Sequence, residues 1–224
     1  KTLECMEKLY MALTLSGLKV GWVTERQLAA GREPASPVIF VPNAGHLPQA
    51  AWETLHRWKG NVILVGDDCL KWDEFGRERD VPTTWISLPF IPQIPFARGV
   101  GIWPELATLI NFSSASDTAK FITHAHGLWE ELRPLLNRLG LRPEIEVIGP
   151  DGKPVWGIEW RVVQQGGRVL VNLVNLTNNS LAIRLERNGQ ILDGYDLLTD
   201  ERWSNLRELR PLEVRLIEVG DRRE

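Results

Sequence analysis

The sequence has only two cysteines, Cys5 and Cys69. This scarcity limits the ways in which the fold can be stabilised and indicates the compartment in which the protein resides. Two thiols cannot form a disulfide framework for a chain of 224 residues, and they lack the paired CxxC spacing of a structural zinc site. The NxS/T sequons at Asn111, Asn175 and Asn178 would matter only in a protein secreted by a eukaryote. A reducing compartment fits best, so we predict a cytoplasmic protein.

The sequence also lacks a surplus of positive charge and a long hydrophobic run. Lys and Arg number 26 against 29 Asp and Glu, for a formal net charge of -3, and no basic block is present that could neutralise a run of phosphates. The longest apolar stretches, such as 38–42 and 169–174, fall far short of the roughly 20 residues of a membrane-spanning helix. Neither nucleic acid nor a membrane is an expected partner.

An initiating methionine and a leader peptide are missing as well. Charged side chains interrupt the opening segment KTLECMEKLYMALTLSG, at Lys1, Glu4, Glu7 and Lys8. A signal peptide needs an uninterrupted apolar core and a cleavage site. We therefore expect the chain to be a fragment of a longer protein.

The first half of the sequence alternates helices with continuously apolar strands. Apolar residues at spacings of three and four predict a first helix, with Leu3, Met6, Leu9 and Leu13 on one face. A second helix is predicted in LPQAAWETLHRWK, and strands in LKVGWVTE, PVIFVPNAG, GNVILVG and TTWISL. Strands of this kind, alternating with helices, form parallel sheets of βαβ units. An α/β domain is predicted over residues 1–143.

Two proline-containing segments close this half. The segment PFIPQIPFARG, residues 89–99, has apolar residues between its prolines. This pattern favours an extended connection that packs against the rest of the protein. The segment SDTAKFITHAHGLWEELRPLLNRLG predicts a helix that ends at Gly140. Pro134 should kink this helix or split it in two, because proline lacks the amide hydrogen and clashes with the preceding turn.

After residue 143 the spacing of the apolar residues changes from the three to four residues of a helix to the two residues of a strand. Strands are predicted in EIEVIG, PVWGIEWRVVQ, RVLVNLVNLT, LAIRLE, ILDGYDLL and PLEVRLIEV, separated by the turn sequences PDGK, QGG, TNNS and RNG. In the last strand Leu212, Val214 and Leu216 alternate with Glu213 and Arg215, as on a half-solvated antiparallel strand. Short strands at this spacing predict a small antiparallel β-sandwich over residues 144–224.

Cys69 lies where some α/β enzymes carry a nucleophile, in the loop after the apolar strand GNVILVG. Such an elbow needs small neighbours, because its strained turn brings backbone close to backbone. Asp67 and Asp68 precede Cys69 and Leu70 follows it, and nearby carboxylates raise a thiol pKa and suppress the thiolate. No HxE or HxD pair signals an oriented base. We interpret Cys69 as a packed cysteine, and keep a catalytic role for Cys69 with His46 as the alternative.

The sequence THAHG places two histidines close together, but not in a metal-binding geometry. On a helix His124 and His126 point about 200° apart, so they converge on one metal only if the helix unwinds. We therefore predict no metal site, and we expect no cofactor.

PNAGH, residues 42–46, follows a strand at the carboxyl edge of the predicted sheet, where open α/β folds place their ligands. Asn43 and His46 are therefore ligand-binding candidates, although a tight turn at Gly45 explains the segment equally well. Asp67 and Asp68 follow the next strand and join them as candidates.

Carboxylates and tryptophans are the remaining features with a possible sugar chemistry. Glycosidases need two carboxyl groups that flank the scissile bond, but Asp73 and Glu74 share a loop with the two upstream aspartates, and we interpret all four as solvated. Of the ten tryptophans, Trp156 and Trp160 would share one side of a regular strand. Exposed indoles stack on sugars, but core packing is the simpler role for most of them.

Two long segments of the sequence resemble domains of family 42-type β-galactosidases. The first runs from MALTLSGLKVGWVTE through VIFVPNAGHLPQAAWETLHRWKGNVILVGDDCLKWDEFGRERD, and is similar to the amidotransferase-like α/β domain that follows their catalytic barrel. The segment WGIEWRVVQQGGRVLVNLVNLTNNSLAIRLE, with DLLTD and LRPLEVRLIEV, is similar to their small C-terminal β-domain. The resemblance implies a flavodoxin-like, class I amidotransferase-like sheet followed by a β-sandwich.

The resemblance also implies a function. In that family both catalytic glutamates lie on a (β/α)8 barrel that this sequence lacks, so no catalytic residue transfers to it. The α/β domain serves there in subunit association, typically trimerisation. The expected partners are thus the catalytic barrel of the same protein, further copies of the chain, and the carbohydrate substrate of the parent, a β-galactoside or related β-glycoside.

Two alternatives from other functional classes remain open. One is an amidase of the amidotransferase superfamily that uses Cys69. The other is a carbohydrate-binding protein, in which the β-sandwich or the edge of the α/β sheet holds a sugar against tryptophan.

Overall fold

The computed structural model of the chain describes residues 2–88 and 115–220, with the backbone alone at residues 4 and 115–124. These residues divide into two compact units. We call residues 2–9 and 21–88 the α/β unit, and residues 10–20 and 115–220 the β-rich unit. The first helix, α1 (Thr2–Thr14), contributes residues to both units.

The α/β unit is built on a three-stranded parallel sheet. Its further elements are α2 (Glu25–Ala29), β1 (Val38–Pro42), α3 (Gln49–Arg57), β2 (Asn61–Val65) and β3 (Ile86–Leu88). The strand order is β1-β2-β3, and Ile63 on the central strand pairs with Phe40 on one side and Ile86 on the other. The three predicted strands that form this sheet are confirmed.

The strand predicted in LKVGWVTE does not form. Residues 18–24 contain no regular element and lead into α2. Thr24 and Gln27 make a capping box there: Thr24 Oγ1 accepts from the Gln27 amide at 3.2 Å, and Gln27 Oε1 accepts from the Thr24 amide at 2.9 Å. The apolar residues of this segment favour a strand, but its last residues form the N-terminal cap of a helix.

Burial explains why β2 is apolar after its exposed first residue, Asn61. Residues 62–65 are all buried, with Ile63 fully so. The middle strand of a parallel sheet is covered on both faces, so these four positions leave no room for a polar side chain. One face packs on the core that β1, α2, α3 and the following loop share: Leu28, Val41, Leu47, Ala51, Leu55, Val62, Leu64, Cys69 and Leu70.

The β-rich unit contains one long helix and two antiparallel sheets. The helix is α4 (Ala115–Arg138), and the strands are β4 (Glu146–Ile148), β5 (Ile158–Gln165), β6 (Arg168–Asn175), β7 (Leu181–Arg187), β8 (Gln190–Ile191), β9 (Gly194–Asp196), β10 (Glu201–Trp203), β11 (Arg207–Leu209) and β12 (Val214–Val219). Every strand predicted after residue 143 has a counterpart among them. The strands β10 and β11 were not predicted.

The helix α4 runs through Pro134 without interruption, so the predicted split is wrong. Pro134 and Glu130, four residues before it, are both exposed. The carbonyl that loses its amide partner can therefore bond to water, which removes most of the reason to break the helix. This helix groups with the β-rich unit, whereas the sequence places it in a domain ending at residue 143; that boundary stays a prediction.

The two antiparallel sheets face each other across one core, as in a β-sandwich. The larger has the order β10-β9-β12-β6-β5, and the smaller has β11-β7-β4 with β8 beside β7. Alternate residues of both sheets point inward and share one buried cluster: Ile145, Val147, Ile158, Trp160, Val171, Leu173, Ile183, Leu185, Trp203, Leu209 and Ile217.

The predicted proline-rich connection at 89–99 and the sequon at Asn111 lie outside the described residues. Within residues 2–88 and 115–220, no helix combines the length and apolar character that crossing a bilayer requires.

Candidate functional site

The ligand-binding candidates of the α/β unit lie in two neighbouring loops, which follow β1 and β2. Backbone hydrogen bonds join these loops: the Leu70 amide donates to the Ala44 carbonyl at 2.7 Å, and the Trp72 amide to the Gly45 carbonyl at 3.0 Å. The parallel strands thus bring residues 43–47 and 66–72 together.

Asn43 is part of the joint between the loops. Its amide donates to the Val65 carbonyl at 2.8 Å, and its carbonyl accepts from Thr2 Oγ1 at 2.9 Å. The residue has a φ of 45°, and its Oδ1 lies only 2.6 Å from where a Cβ on Gly66 would stand. Gly66, with a φ of 126°, is the residue type that both the backbone angle and this close approach require.

The other candidates in these loops are exposed. His46 packs its ring 5.4 Å from that of Trp72, and Asp68 accepts from Lys71 Nζ at 2.7 Å. Asp67 faces solvent beside them. The three side chains share one edge of the sheet, and nothing in their contacts converges on a common point.

Cys69 is packed in the core of the α/β unit. It is 3% exposed, and its Sγ donates to the Val41 carbonyl at 3.5 Å. Burial raises the pKa of the thiol, and this outweighs the opposing effect of the amides of Asn43 and Ala44. Among the described residues no hydrogen bond joins Cys69 to a histidine. A protonated, covered thiol is the opposite of what a nucleophile needs.

Asp73 and Glu74 accept backbone hydrogen bonds instead of facing a ligand. Asp73 is only 4% exposed, so the prediction that this carboxylate is solvated is wrong, whereas Glu74 is exposed. Asp73 Oδ1 accepts from the amides of Phe75 and Arg77 at 2.9 and 2.8 Å, and its Oδ2 accepts from Arg77 Nε at 2.6 Å. Desolvation alone would raise the pKa of Asp73, but these hydrogen bonds, led by the Arg77 amide, lower it. Glu74 Oε2 accepts from the Gln49 amide at 2.8 Å, at the first residue of α3.

Arg79, which the sequence analysis did not single out, ties the same segment together. Its guanidinium donates to the Leu47 carbonyl at 2.7 Å and to Gln49 Oε1 at 3.0 Å, and lies 5.1 Å from the ring of Trp52. These contacts fix the path of the chain between β1 and α3.

A cleft of about 290 Å³ lies within the β-rich unit. Its walls come from the last turns of α4, from β4, β5 and β7, and from the loops after α1, α4 and β4. The apolar part of the lining includes Leu15, Trp129, Leu136, Val147, Pro154 and Trp160; the polar part is Ser16, Arg133, Asn137, Arg142, Glu146 and Glu186. No local sequence pattern predicts this cleft, because its residues come from segments far apart in the chain.

Two carboxylates stand side by side on one wall of the cleft. Glu146 on β4 is directly opposite Glu186 on β7 in the antiparallel register, where like charges repel. Glu186 is paired with Arg184 Nε at 2.6 Å. Among the described residues the side chain of Glu146 has no hydrogen-bond or ion-pair partner.

The cleft tryptophans are anchored by their ring nitrogens. Trp129 Nε1 donates to the Leu15 carbonyl at 3.2 Å, and Trp160 Nε1 to the Ile145 carbonyl at 2.7 Å. Arg133 lies over the Trp129 ring at 4.8 Å, and its Nη1 is 3.7 Å from Glu130 Oε1. Both indoles are nearly buried, so core packing is confirmed as the main role of Trp160.

His126 belongs to an aromatic cluster. Its ring centroid is 5.6 Å from that of Trp129 and 5.0 Å from that of Trp156, and its Nε2 is 3.7 Å from Glu130 Oε1. The side chain of His124 lies outside the description. In the part of the chain that the structure describes, no three potential metal-ligating side chains come together.

Asn175 has a structural role that its sequon conceals. It is fully buried at the end of β6, and its Nδ2 donates to the carbonyls of Asn179, Leu209 and Arg210 at 2.8, 3.0 and 3.1 Å. Its Oδ1 accepts from the amide and hydroxyl of Thr177 at 2.9 and 2.8 Å. A side-chain amide used in this way is inaccessible to modification.

Arg215, near the start of the central strand β12 of the larger sheet, joins two acidic residues. Its Nη1 donates to Asp196 Oδ2 at 2.7 Å, and its Nη2 donates to Glu213 Oε1. Burial would raise the pKa of Asp196 and that of Glu213, but backbone amides and Arg215 lower both. This is a stabilising network, since Asp196 is only 2% exposed.

Several solved structures share this fold. An apo exo-carrageenase GH42 from Bacteroides ovatus is 19% identical with a TM-score of 0.63, and the match covers 97% of this chain and 26% of that one. A catalytic mutant of Gan42B, a GH42 β-galactosidase from G. stearothermophilus, is 14% identical with a TM-score of 0.57, over 95% and 35% of the two chains. A β-galactosidase from Bacillus circulans sp. alkalophilus is 11% identical with a TM-score of 0.56, over 98% and 38%.

At these identities the likeness establishes the fold and nothing finer. The chain spans between 26% and 38% of the length of these three proteins. No family model matches the chain, and no curated protein matches its sequence significantly. The fold of this chain is therefore one that forms part of larger GH42 proteins.

Proposed function

We propose that this chain is a non-catalytic C-terminal portion of a GH42-type glycoside hydrolase, in which a flavodoxin-like, amidotransferase-like domain and a β-sandwich support a catalytic (β/α)8 barrel. The observation that carries the proposal is the coverage: matches to three GH42-related structures take in 95% to 98% of this chain but at most 38% of theirs. The parent protein would hydrolyse β-galactosides or related β-glycosides on the barrel.

The chemistry of the described residues supports a non-catalytic role. A glycosidase needs two carboxyl groups on either side of the scissile bond. In the α/β unit Asp73 and Glu74 are bonded to backbone amides. In the β-rich unit Glu146 and Glu186 stand on one wall of the cleft, and Glu186 is already paired with Arg184.

Activity measurements test this proposal. The chain alone should not release nitrophenol from nitrophenyl β-galactoside or β-glucoside, whereas the product of the complete reading frame should do so. The reading frame upstream of Lys1 should encode a barrel of roughly 350 to 450 residues, about the size of a (β/α)8 domain with insertions. Turnover by the chain alone, or the absence of such a barrel, would overturn the proposal.

Self-association is the second part of the proposal, and it rests on the sequence resemblance. We expect the complete protein to form a trimer through its α/β domain. Sedimentation equilibrium of the complete protein, compared with a form lacking residues 21–88, which leaves the segments of the β-rich unit in place, separates a trimer that needs the α/β unit from one that does not. A monomeric complete protein would refute this part.

The two cysteines support a cytoplasmic location. Cys5 and Cys69 are both buried and form no disulfide with each other, as is common in proteins from reducing compartments. Fractionation of the source cells, with the protein detected by antibody, tests the location.

A further inference from the structure

Two charged side chains that line the cleft of the β-rich unit have no hydrogen-bond or ion-pair partner among the described residues. Glu146 stands opposite a second carboxylate without a cationic partner. Arg142, on the segment between α4 and β4, also lines the cleft, and its side chain has no hydrogen bond or ion pair among the described residues. The carboxylate of Glu146 and the guanidinium of Arg142 thus line the same cleft without forming a hydrogen bond to each other.

The charges of the lining balance. Arg133 and Arg142 contribute two positive charges, and Glu146 and Glu186 contribute two negative ones. A cleft for an anion or a cation would carry an excess of the opposite sign. This balance favours a neutral ligand that both donates and accepts hydrogen bonds.

The remainder of the lining is amphipathic. Asn137 adds both a donor and an acceptor, while indole and aliphatic groups form the other walls, among them Trp129 and Trp160. The volume of about 290 Å³ lies near the lower end of the range of roughly 300–1,000 Å³ for small-molecule sites. The ligand is therefore small, with polar edges and an apolar face.

From these features we infer that the cleft binds a single neutral sugar unit, with Glu146 accepting from its hydroxyl groups and Arg142 donating to them. Each sugar hydroxyl can donate and accept at once, which matches a carboxylate and a guanidinium placed in one cleft. The choice of a sugar over another neutral polyol rests on the proposed glycoside hydrolase parentage.

Calorimetry and tryptophan fluorescence of the 224-residue chain test this inference, with galactose and glucose as probes. Because two indoles line the cleft, sugar binding should change the tryptophan emission. For so small a ligand we expect a dissociation constant on the order of 1 mM. Glu146→Ala and Arg142→Ala should each weaken binding about tenfold or more, since each removes a hydrogen bond to a charged group.

Matched controls come from α4. Glu131 and Arg138 are exposed and do not line the cleft, so Glu131→Ala and Arg138→Ala should leave the affinity unchanged. Glu146→Gln serves as the folding control: it relieves the repulsion from Glu186 and should not lower the thermal stability. A weaker affinity in this variant, with undiminished stability, assigns the effect to binding.

Three outcomes would overturn the inference: no heat and no emission change at about ten times the expected dissociation constant, equal affinities in the cleft and control variants, or tighter binding of a zwitterion such as glycine betaine. None of them bears on the proposed parentage, which depends on the upstream barrel and on the activity of the complete protein.

Discussion

The two compact units place their buried polar groups in different parts of their sheets. In the α/β unit the buried positions of the strands are apolar, and polar groups that hold the fold lie in the loops beyond them, such as Asp73 in the turn at 73–77. In the β-rich unit polar groups lie within the strands themselves, at Asn175 on β6 and Asp196 on β9. Both are almost completely buried.

The difference follows from sheet coverage. A parallel strand covered on both faces, such as β2, offers a polar side chain no partner other than the backbone, which the ladder already uses. Asn175 and Asp196 are the last residues of β6 and β9, and they lie beside turns, where carbonyls and amides are left unbonded by the ladder. Asn175 and Asp196 bond to such groups, and this makes strand ends the most sensitive polar positions of the β-rich unit.

Substitution of Asn175 should therefore cause the largest loss of stability. Asn175→Ala removes five hydrogen bonds formed by one buried amide. Each buried group left without a partner costs about 1–3 kcal/mol, so we expect a loss of about 4 kcal/mol in the free energy of unfolding. Urea titration measures it. Asn172→Ala, on the exposed side of the same strand, is the control, and equal losses in the two variants would contradict this account.

Gly17→Ala should have the next largest effect. Gly17 has a φ of 69°, and a Cβ there would lie 2.3 Å from the indole of Trp160. The left-handed backbone costs about 1–2 kcal/mol for alanine, and overpacking adds about 1–3 kcal/mol, so a loss of about 3 kcal/mol is expected. Gly140, also at 69°, has nothing within 4 Å of its Cβ position.

Gly140→Ala therefore isolates the backbone contribution, and it should cost about 1 kcal/mol. Thermal unfolding of the two variants gives the difference. A Gly140→Ala loss as large as that of Gly17→Ala would show that the contact with Trp160 is not what Gly17 is needed for.

Most strands could be predicted from the sequence, because their periodicity records which faces are buried. The strands β1 and β2 are continuously apolar and β12 alternates, and all three form. The failures have local causes. Residues 18–24 include several apolar residues but end in a capping box. The strands β10 and β11 each hold two charged residues and a single apolar one, so no apolar pattern marks them in the sequence.

The functional features were less accessible to sequence reasoning. Asn175 matched a sequon, and its role became visible only through carbonyls 34 and 35 residues further along the chain. The cleft joins the loop after α1 to β7, so no local motif encodes it. The loops after β1 and β2 were predictable, because the carboxyl ends of adjacent parallel strands meet at one edge.

Acid should weaken the Arg215 network in a defined pH range. The folded pKa values of Asp196 and Glu213 lie below their ordinary values, so their contribution is complete above the unfolded values, near 4, and is lost as the pH falls through the folded ones. Asp196→Asn should cost about 2 kcal/mol at neutral pH, since hydrogen bonds to charged groups contribute about 1.5–3 kcal/mol.

The same variant should also flatten the pH dependence of stability below about pH 4. Hydrogen exchange of peptides from β9 and β12, followed from pH 6 downward, measures this in the β-rich unit alone. An unchanged acid dependence in Asp196→Asn would assign the acid sensitivity to other carboxylates, such as Asp73 in the α/β unit.

The smallest effect is expected for chemical modification of Cys69. This prediction tests whether the core of the α/β unit lacks reactive polar groups. If the polar chemistry of this unit lies in its loops and not in its core, the Cys69 thiol has no function beyond packing. A thiol reagent should then modify it slowly in the native protein, at a rate set by opening of the core, because burial raises its pKa. Cys5→Ala removes the only other thiol, and denaturant should release full reactivity. Rapid native modification with an apparent pKa below the ordinary range would instead place an activated nucleophile at the end of β2.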